Sequence, residues 1–447
     1  MSKKERKPFR YWRTLVPASF FLAVVAVTAR LTYPLPADAP ALLWLSRTDP
    51  LLLLSGLRWS PGGTALWAWL PAVLILVSLL LGRVFCGWLC PVGGMLAILD
   101  SLRLGFGRRL LAKRPGIEDR LRGLRYLWLG ILLLLILIGT NLPLLLTPYT
   151  LLSSGVALVF AGYVPWLLLT VVVLGVLLYP RFWCVYLCPT GITWSLISHN
   201  RRWRFSVDQS CSRCGRCSVN CPTHAIRADQ GAVGDDCILC GRCWESCPRG
   251  SVTWERSERN NRAAVIPARR VLLKAGVVAA GAAAFWSLLQ FFPSRLPLRP
   301  PGARAEEGFT SLCSRCGRCI KVCPSQGLQP MPLASGLDNF ETPQLVPRRG
   351  RCELCMLCQE VCPTGALLPT PIEKVRIGTA ILERERCLVW NQGISCLLCL
   401  EQCPQFAVSF DQMERPWVDE KACVGCGACE NGCPVEDSAI RVFRLDA

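Results

Sequence analysis

The residue type that carries chemistry in this chain is cysteine. There are 28 cysteines in 447 residues, and 24 fall into six quartets, five of them spaced Cys-x2-Cys-x2-Cys-x3-Cys-Pro. Three thiolates two residues apart can wrap a tight loop around one face of an iron–sulfur cubane. A fourth, beside a proline that turns the chain, reaches a second cluster. Glycines inside the loops, such as Gly215 and Gly241, permit the close approach. Disulfide frameworks do not repeat in this way, and zinc ribbons set two cysteine pairs apart instead. Six 4Fe–4S clusters are therefore expected.

Two quartets lie in the middle of the chain. Crossed ligation, the rule for two-cluster ferredoxins, assigns Cys211, Cys214, Cys217 and Cys247 to one cluster and Cys237, Cys240, Cys243 and Cys221 to the other. Four quartets follow: Cys313, Cys316, Cys319, Cys323; Cys352, Cys355, Cys358, Cys362; Cys387, Cys396, Cys399, Cys403; and Cys423, Cys426, Cys429, Cys433. The third of these is irregular, with eight residues between its first two ligands. These four pair either first with fourth and second with third, or sequentially; spacing leaves both open.

The other four cysteines form a repeat. Arg83-Val-Phe-Cys86-Gly-Trp-Leu-Cys90-Pro91-Val-Gly93 matches Arg181-Phe-Trp-Cys184-Val-Tyr-Leu-Cys188-Pro189-Thr-Gly191. On a helix, the i and i+4 positions of CxxxC share a face, so a duplicated hairpin brings four thiols to one depth. Cys86, Cys90, Cys184 and Cys188 are thus the candidate catalytic residues, as a dithiol redox site or as ligands of an additional metal or cluster. There is no CxxCH, and the only histidines, His199 and His224, lie outside apolar runs, so haem is not expected.

The elements that position these cysteines read as membrane segments. Hydrophobic residues make up 52% of the chain and the net charge is +19, with the basic residues flanking apolar runs. That is the positive-inside pattern and not that of a nucleic-acid binder. Expected crossings are 15–29, 65–82, 126–140 and 166–179, with the uncharged stretch 141–164 dipping into the interface. The fold class expected is therefore membrane α-helical, a four-helix N-terminal bundle plus a fifth anchor helix, carrying α+β ferredoxin-like domains. Its parts are a membrane domain (1–200), a cytoplasmic two-cluster domain (201–262), an anchor helix and proline-rich spacer (263–304) and a periplasmic four-cluster domain (305–447). The anchor opens with Arg269-Arg270-Val-Leu-Leu-Lys274, a twin-arginine-like export pattern. This places the protein in a bacterial inner membrane, multi-pass, with cluster domains on both faces.

Residues 1–262 resemble the NapH and MauN membrane polyferredoxins in their crossings, CxxxCP pairs and two ferredoxin motifs. Residues 263–447 resemble NapG and MauM, the eight-residue insertion included. The chain is thus similar to a NapH–NapG fusion. That resemblance implies a quinol dehydrogenase-type protein, taking electrons from the quinone pool and passing them to a periplasmic acceptor such as a c-type cytochrome or reductase. The N-terminal half also resembles the metal-handling CcoG and the NosR regulators, so a metal-reducing or assembly factor is the alternative. With no haem ligand in the crossings, a hydrocarbon layer about 30 Å thick separates the two sets of clusters. A mobile quinone is the expected carrier across it. Acids suited to accepting quinol protons are few; Asp100, Glu118 and His199 stand at the membrane edge.

Overall fold

The computed structural model describes residues 7–31, 48–53, 68–103, 115–138, 141–177, 181–226, 233–256, 281 and 296–444. The expected anchor and its twin arginines lie outside these residues, apart from Gly281. Apolar sequence dictates the first half: α1 (Lys7–Arg30), α2 (Trp69–Leu81), α3 (Pro91–Arg103), α4 (Pro115–Ile138), α5 (Pro148–Phe160), α6 (Trp166–Leu177) and α7 (Pro189–Ile197). Prolines stand at the first position of α3, α5 and α7, where the missing N–H costs nothing.

Among the described residues, one helix segment, Tyr11–Arg30, is long and apolar enough to cross a membrane. Trp69–Leu81, Pro91–Ser101, Pro148–Phe160 and Trp166–Gly175 are apolar but shorter. A bundle of four full-length crossings is therefore not supported by helix length. The described α2 ends at Gly82 (φ +99°), the expected end of that crossing and a conformation that L side chains rarely adopt, and the chain then tightens into a π turn at Phe85–Leu89. The uncharged stretch after α4 forms a 3-10 turn, Leu142–Leu146, and then α5, nine of whose residues are buried.

Two ferredoxin-like units cap this helical core. The inner unit pairs β1 (Trp203–Val207) with β2 (Val252–Arg256) antiparallel, with short helices α8 (Arg216–Asn220) and α9 (Arg242–Ser246) between them. The outer unit has three antiparallel pairs: β3 (Leu328–Pro330) with β4 (Pro343–Leu345), β5 (Thr379–Leu382) with β8 (Ile440–Phe443), and β6 (Val408–Phe410) with β7 (Pro416–Val418). Its cysteine loops end in α11 (Arg318–Val322), α12 (Leu357–Glu360), α13 (Leu398–Glu401) and α14 (Ala428–Gly432), preceded by α10 (Glu306–Leu312). The outer unit begins earlier than the expected boundary. Arg299 is buried, donates to Glu306, Thr342 and Asn339, and lies over the Phe309 ring at 4.5 Å. Residues 298–304 are thus hydrogen-bonded into the outer unit, through Leu298, Arg299, Gly302 and Arg304.

The two units sit at opposite ends of α1. Arg13 pairs with Glu245 of the inner unit at 2.6 Å. Lys321 of the outer unit donates to the carbonyl of Thr28. Fifteen residues of helix separate those two contacts, about 22 Å at 1.5 Å per residue.

Candidate functional site

Each quartet is built by backbone conformation before it is built by sulfur. The residue before the second cysteine is left-handed in five of the six loops: Arg213, Leu239, Arg315, Leu354 and Gly425. The residue after the second cysteine is left-handed as well, at Gly215, Gly241, Gly317 and Gly427 and also at Met356. Glycine there was legible in the sequence; the strained non-glycine residues beside it were not. Such strain persists only where the surroundings over-determine it, and a cluster wrapped by the loop would do so. His224 belongs to the same geometry. It holds φ 51° in the turn after Cys221-Pro222, and its carbonyl accepts from Arg122 at 2.6 Å. The irregular quartet solves the problem differently. Its insertion forms a π turn, Leu388–Gln392, closed by left-handed Gly393. Trp390 donates to the Pro416 carbonyl at 3.2 Å, with Arg384 and Arg415 over its ring.

The thiols gather in crossed sets. Cys221 lies in the electrostatic surroundings of Cys237, Cys240 and Cys243, while Cys217 has Cys211 and Cys214. In the outer unit Cys313 and Cys319 face Cys316 and Cys362, and Cys352 and Cys358 face Cys355 and Cys323. One cavity is lined by Cys403, Cys423, Cys426 and Cys429 with Gly425, Gly427 and Ala428, leaving Cys387, Cys396 and Cys433 together in a further core. Of the two pairings left open by spacing, the geometry is sequential: first with second, third with fourth. These donor sets fit cubanes, each cradle being formed by three thiols of one loop and one of its partner. Burial pushes the Cys313 thiol up to about 11 and the Cys237 and Cys352 thiols up to about 12. Thiolates in such places need a metal's charge to stabilise them.

The cradles form a series. Cys352 donates its N–H to the Cys426 carbonyl at 2.8 Å, joining the second and fourth loops. At the helical end, Ser153 of α5 donates to the Cys316 carbonyl at 2.8 Å, and Asn141 donates to Ser311. At the other end, Ile394, Leu397 and Phe406 are exposed beside the irregular loop.

The four CxxxCP thiols do converge, in one buried core with Phe85, Tyr149, Trp183 and Trp194. The helical i, i+4 expectation needs correction in detail. Cys86 and Cys184 sit in π turns (Phe85–Leu89 and Trp183–Leu187), and Cys90 and Cys188 are extended residues just before α3 and α7. The extra residue per turn matches the five-residue step from Trp183 to Cys188, whose N–H donates to the Trp183 carbonyl at 2.8 Å. The two copies are tied reciprocally. Arg83 donates to the carbonyl of Cys184 at 3.0 Å, and Arg181 donates to that of Cys86 at 2.8 Å. Gly93 N–H points at Cys90 Sγ and Gly191 N–H at Cys188 Sγ, both at 3.3 Å.

Several residues here escaped sequence reasoning. Asp236, 2% exposed, takes Arg83 at 2.8 Å, Arg125 at 2.7 Å and Ser195 at 3.0 Å, locking the inner unit to the repeat. Burial alone would raise its pKa; Arg125 and Arg83 outweigh burial and hold it below the usual range. Asp49 is also buried, accepting from Thr190 at 2.9 Å and from the Leu51 N–H at 3.0 Å. The signal for it was Asp-Pro ahead of a leucine run, a helix start. Among the expected proton acceptors, Asp100 pairs with Arg242 and His199 with Asp235, both at the inner unit's interface. The Glu118 side chain lies outside the described residues.

A chain with paired ferredoxin loops in two separate units is a polyferredoxin, an iron–sulfur electron-transfer protein. Comparison with known families agrees. Residues 312–366 match a 4Fe–4S dicluster domain, spanning the first and second outer quartets. Residues 64–114 with 158–206, 234–250 and 414–435 match 4Fe–4S binding domains. Ferredoxin-type protein NapG of Escherichia coli K12 is 38% identical over 169 residues, covering 34% of this chain and 72% of NapG. The methylamine utilization ferredoxin-type protein MauM of Methylobacillus flagellatus is 38% identical over 214 residues, 42% of this chain and 90% of MauM. NapG of Haemophilus influenzae is 32% identical over 210 residues, 41% and 74% of the two chains. The chain belongs to the NapG/MauM family of ferredoxin-type proteins.

Proposed function

We propose that this protein is a membrane-bound quinol dehydrogenase-type electron carrier. It would take electrons from the quinone pool and pass them through six 4Fe–4S clusters to a periplasmic c-type cytochrome or reductase. The observation that carries the reading is the placement of two cluster units at opposite ends of α1, bridged by a core that contains the repeat thiols. In this reading the apolar helices lie in the lipid bilayer of a bacterial inner membrane as a multi-pass domain. The inner unit faces the cytoplasm, and the outer unit is carried to the periplasm behind the twin-arginine-like segment. A full 4Fe–4S complement supplies one-electron steps at potentials set by hydrogen bonding and burial. The protein's part is to hold the clusters in series: the Cys313 set against α5, then the Cys352, Cys423 and Cys387 sets. The acceptor would dock where the series ends, beside Ile394, Leu397 and Phe406.

The rival, metal reduction for enzyme assembly, is separated by one experiment. Anaerobically purified, oxidised protein is mixed with ubiquinol or menaquinol, and cluster absorbance is followed. Bleaching by quinol supports the proposal. Clusters that stay oxidised with quinol, while the dithionite-reduced protein loses electrons to copper(II) ions, would sink it.

A further inference from the structure

Each of the two family matches in the membrane half, 64–114 and 158–206, is to a 4Fe–4S binding domain, yet each contains only two cysteines. Two thiolates are half of a cubane's ligand set. The structure brings the halves together: Cys86, Cys90, Cys184 and Cys188 share one buried core, and Cys90 and Cys188 each have Cys86 and Cys184 among their electrostatic neighbours. We propose that these four cysteines jointly hold one iron–sulfur cluster, a seventh, shared between the two repeats.

Two further observations point to this occupant. First, the surroundings are rich in donors. Arg83 Nε, Trp183 Nε1 and Trp194 Nε1 are buried in or beside this core, with no acceptor among the described residues. Buried donors left unpaired in a native protein call for an unseen partner, and cluster sulfides and cysteinyl sulfurs are acceptors. Second, the charge is right. Arg83 and Arg181 are both buried and cross between the copies, so each half brings a guanidinium to the other half's cysteine loop. That compensates the net negative charge of a four-thiolate cluster.

The glycines preserve this geometry. A Cβ on Gly93 would stand 2.6 Å from the Cys86 carbonyl oxygen, and one on Gly191 would stand 2.4 Å from that of Cys184. The site abuts the inner unit and reaches the outer unit through α5. A Cβ on Gly87 would lie 2.2 Å from the carbonyl of Ile238, a residue between two inner-unit ligands. On the other side, the Tyr149 hydroxyl donates to the Leu89 carbonyl at 3.5 Å, and Ser153, one helical turn along α5, holds Cys316. Four residues of helix rise about 6 Å, far less than the hydrocarbon layer. The cluster would accept one electron from a reduced neighbour and pass one electron on, with no bond made or broken.

The test is metal content, which involves no quinol and so stands or falls apart from the quinol proposal. The full chain, purified anaerobically, should carry about 28 iron and 28 sulfide, four of each per cubane. Cys90→Ser with Cys188→Ser should lose about four of each while keeping the remaining cluster signals in electron paramagnetic resonance. Cys214→Ala, which removes one inner-unit ligand, calibrates the loss of a single cluster. Because the double variant could misfold, Mössbauer spectra of the unaltered protein are also integrated, and a seventh-cluster share of the iron supports the proposal. About 24 iron in the unaltered protein, or Cys86–Cys90 and Cys184–Cys188 disulfides found by mass spectrometry of unreduced peptides, would overturn it.

Discussion

Asp236→Asn should loosen the inner unit from the helical core. The carboxylate is 2% exposed and neutralises two guanidiniums, Arg83 at 0% and Arg125 at 5% exposure, at 2.8 and 2.7 Å. Removing one partner of a buried ion pair costs about 3–5 kcal/mol, because the remaining charge stays buried and uncompensated. The amide keeps the volume and one acceptor oxygen, so about 3 kcal/mol is the working figure, roughly two decades in an opening equilibrium. Hydrogen exchange read by mass spectrometry should show the interface peptides around 83–93 and 233–240 exchanging about 10² faster in the variant, with the outer unit unaffected. Acid should act in the same sense. The folded Asp236 pKa is depressed, so its contribution is complete above the unfolded value of about 3.9 and is lost as pH falls through the folded value. The unaltered protein should therefore hold its interface protection at pH 5, while the variant, lacking the carboxylate, should exchange faster there as it does at neutral pH. Equal exchange in the two proteins would refute the claim that this carboxylate locks the unit.

Other consequences are as direct. Cys313→Ala and Cys362→Ala should abolish the same paramagnetic centre; loss of different centres would reject sequential pairing. Gly317→Val should weaken docking of the outer unit, since a Cβ there meets that of Ala157 at 2.4 Å and φ is +69°; unchanged protection of α5 would count against the docked arrangement. Phe406→Glu, at a residue 84% exposed beside the terminal loop, should slow reduction of a c-type cytochrome about tenfold while leaving quinol bleaching intact; equal cytochrome rates would move the exit elsewhere. A reporter active only outside the cytoplasm should work when fused after Pro301 and stay silent after Trp254. Activity at both positions would end the two-sided model.

The ferredoxin loops were legible because their chemistry is local: spacing alone names the ligands, and Cys-Pro marks the turn. The strands Val408–Phe410 and Ile440–Phe443 fall within the β-prone runs Ala407–Phe410 and Ala439–Phe443 that the sequence shows between the cysteine loops. Pairing of the outer loops was not legible, since a cluster can join residues as far apart as Cys313 and Cys362, or Cys387 and Cys433, and short loops carry no signal of which neighbour they meet. The repeat announced four thiols in one place, but not the π turns, which depend on how Arg83 and Arg181 reach across to the opposite copy. Asp236 was invisible for a like reason, since a single acid in a polar loop reads as solvated until a fold buries it, while Asp49 carried only the Asp-Pro mark of a helix start. Helix length was less legible: apolar runs predicted four crossings, whereas among the described residues Trp69–Leu81, Pro148–Phe160 and Trp166–Gly175 are apolar but short.

The cluster proposed at Cys86, Cys90, Cys184 and Cys188 stands in place of the mobile quinone expected from the sequence, so electrons should pass between the two cluster units through this chain. The most direct test reconstitutes the protein, free of quinone, into sealed liposomes with the inner unit facing the lumen and dithionite trapped inside. Freeze-quenched paramagnetic resonance then reports which clusters are reduced. The inner clusters and then the four outer clusters should become reduced, and Cys90→Ser with Cys188→Ser should slow the outer set at least tenfold. Outer clusters that stay oxidised until quinone is added would contradict a continuous path and leave the bilayer's mobile carrier as the link.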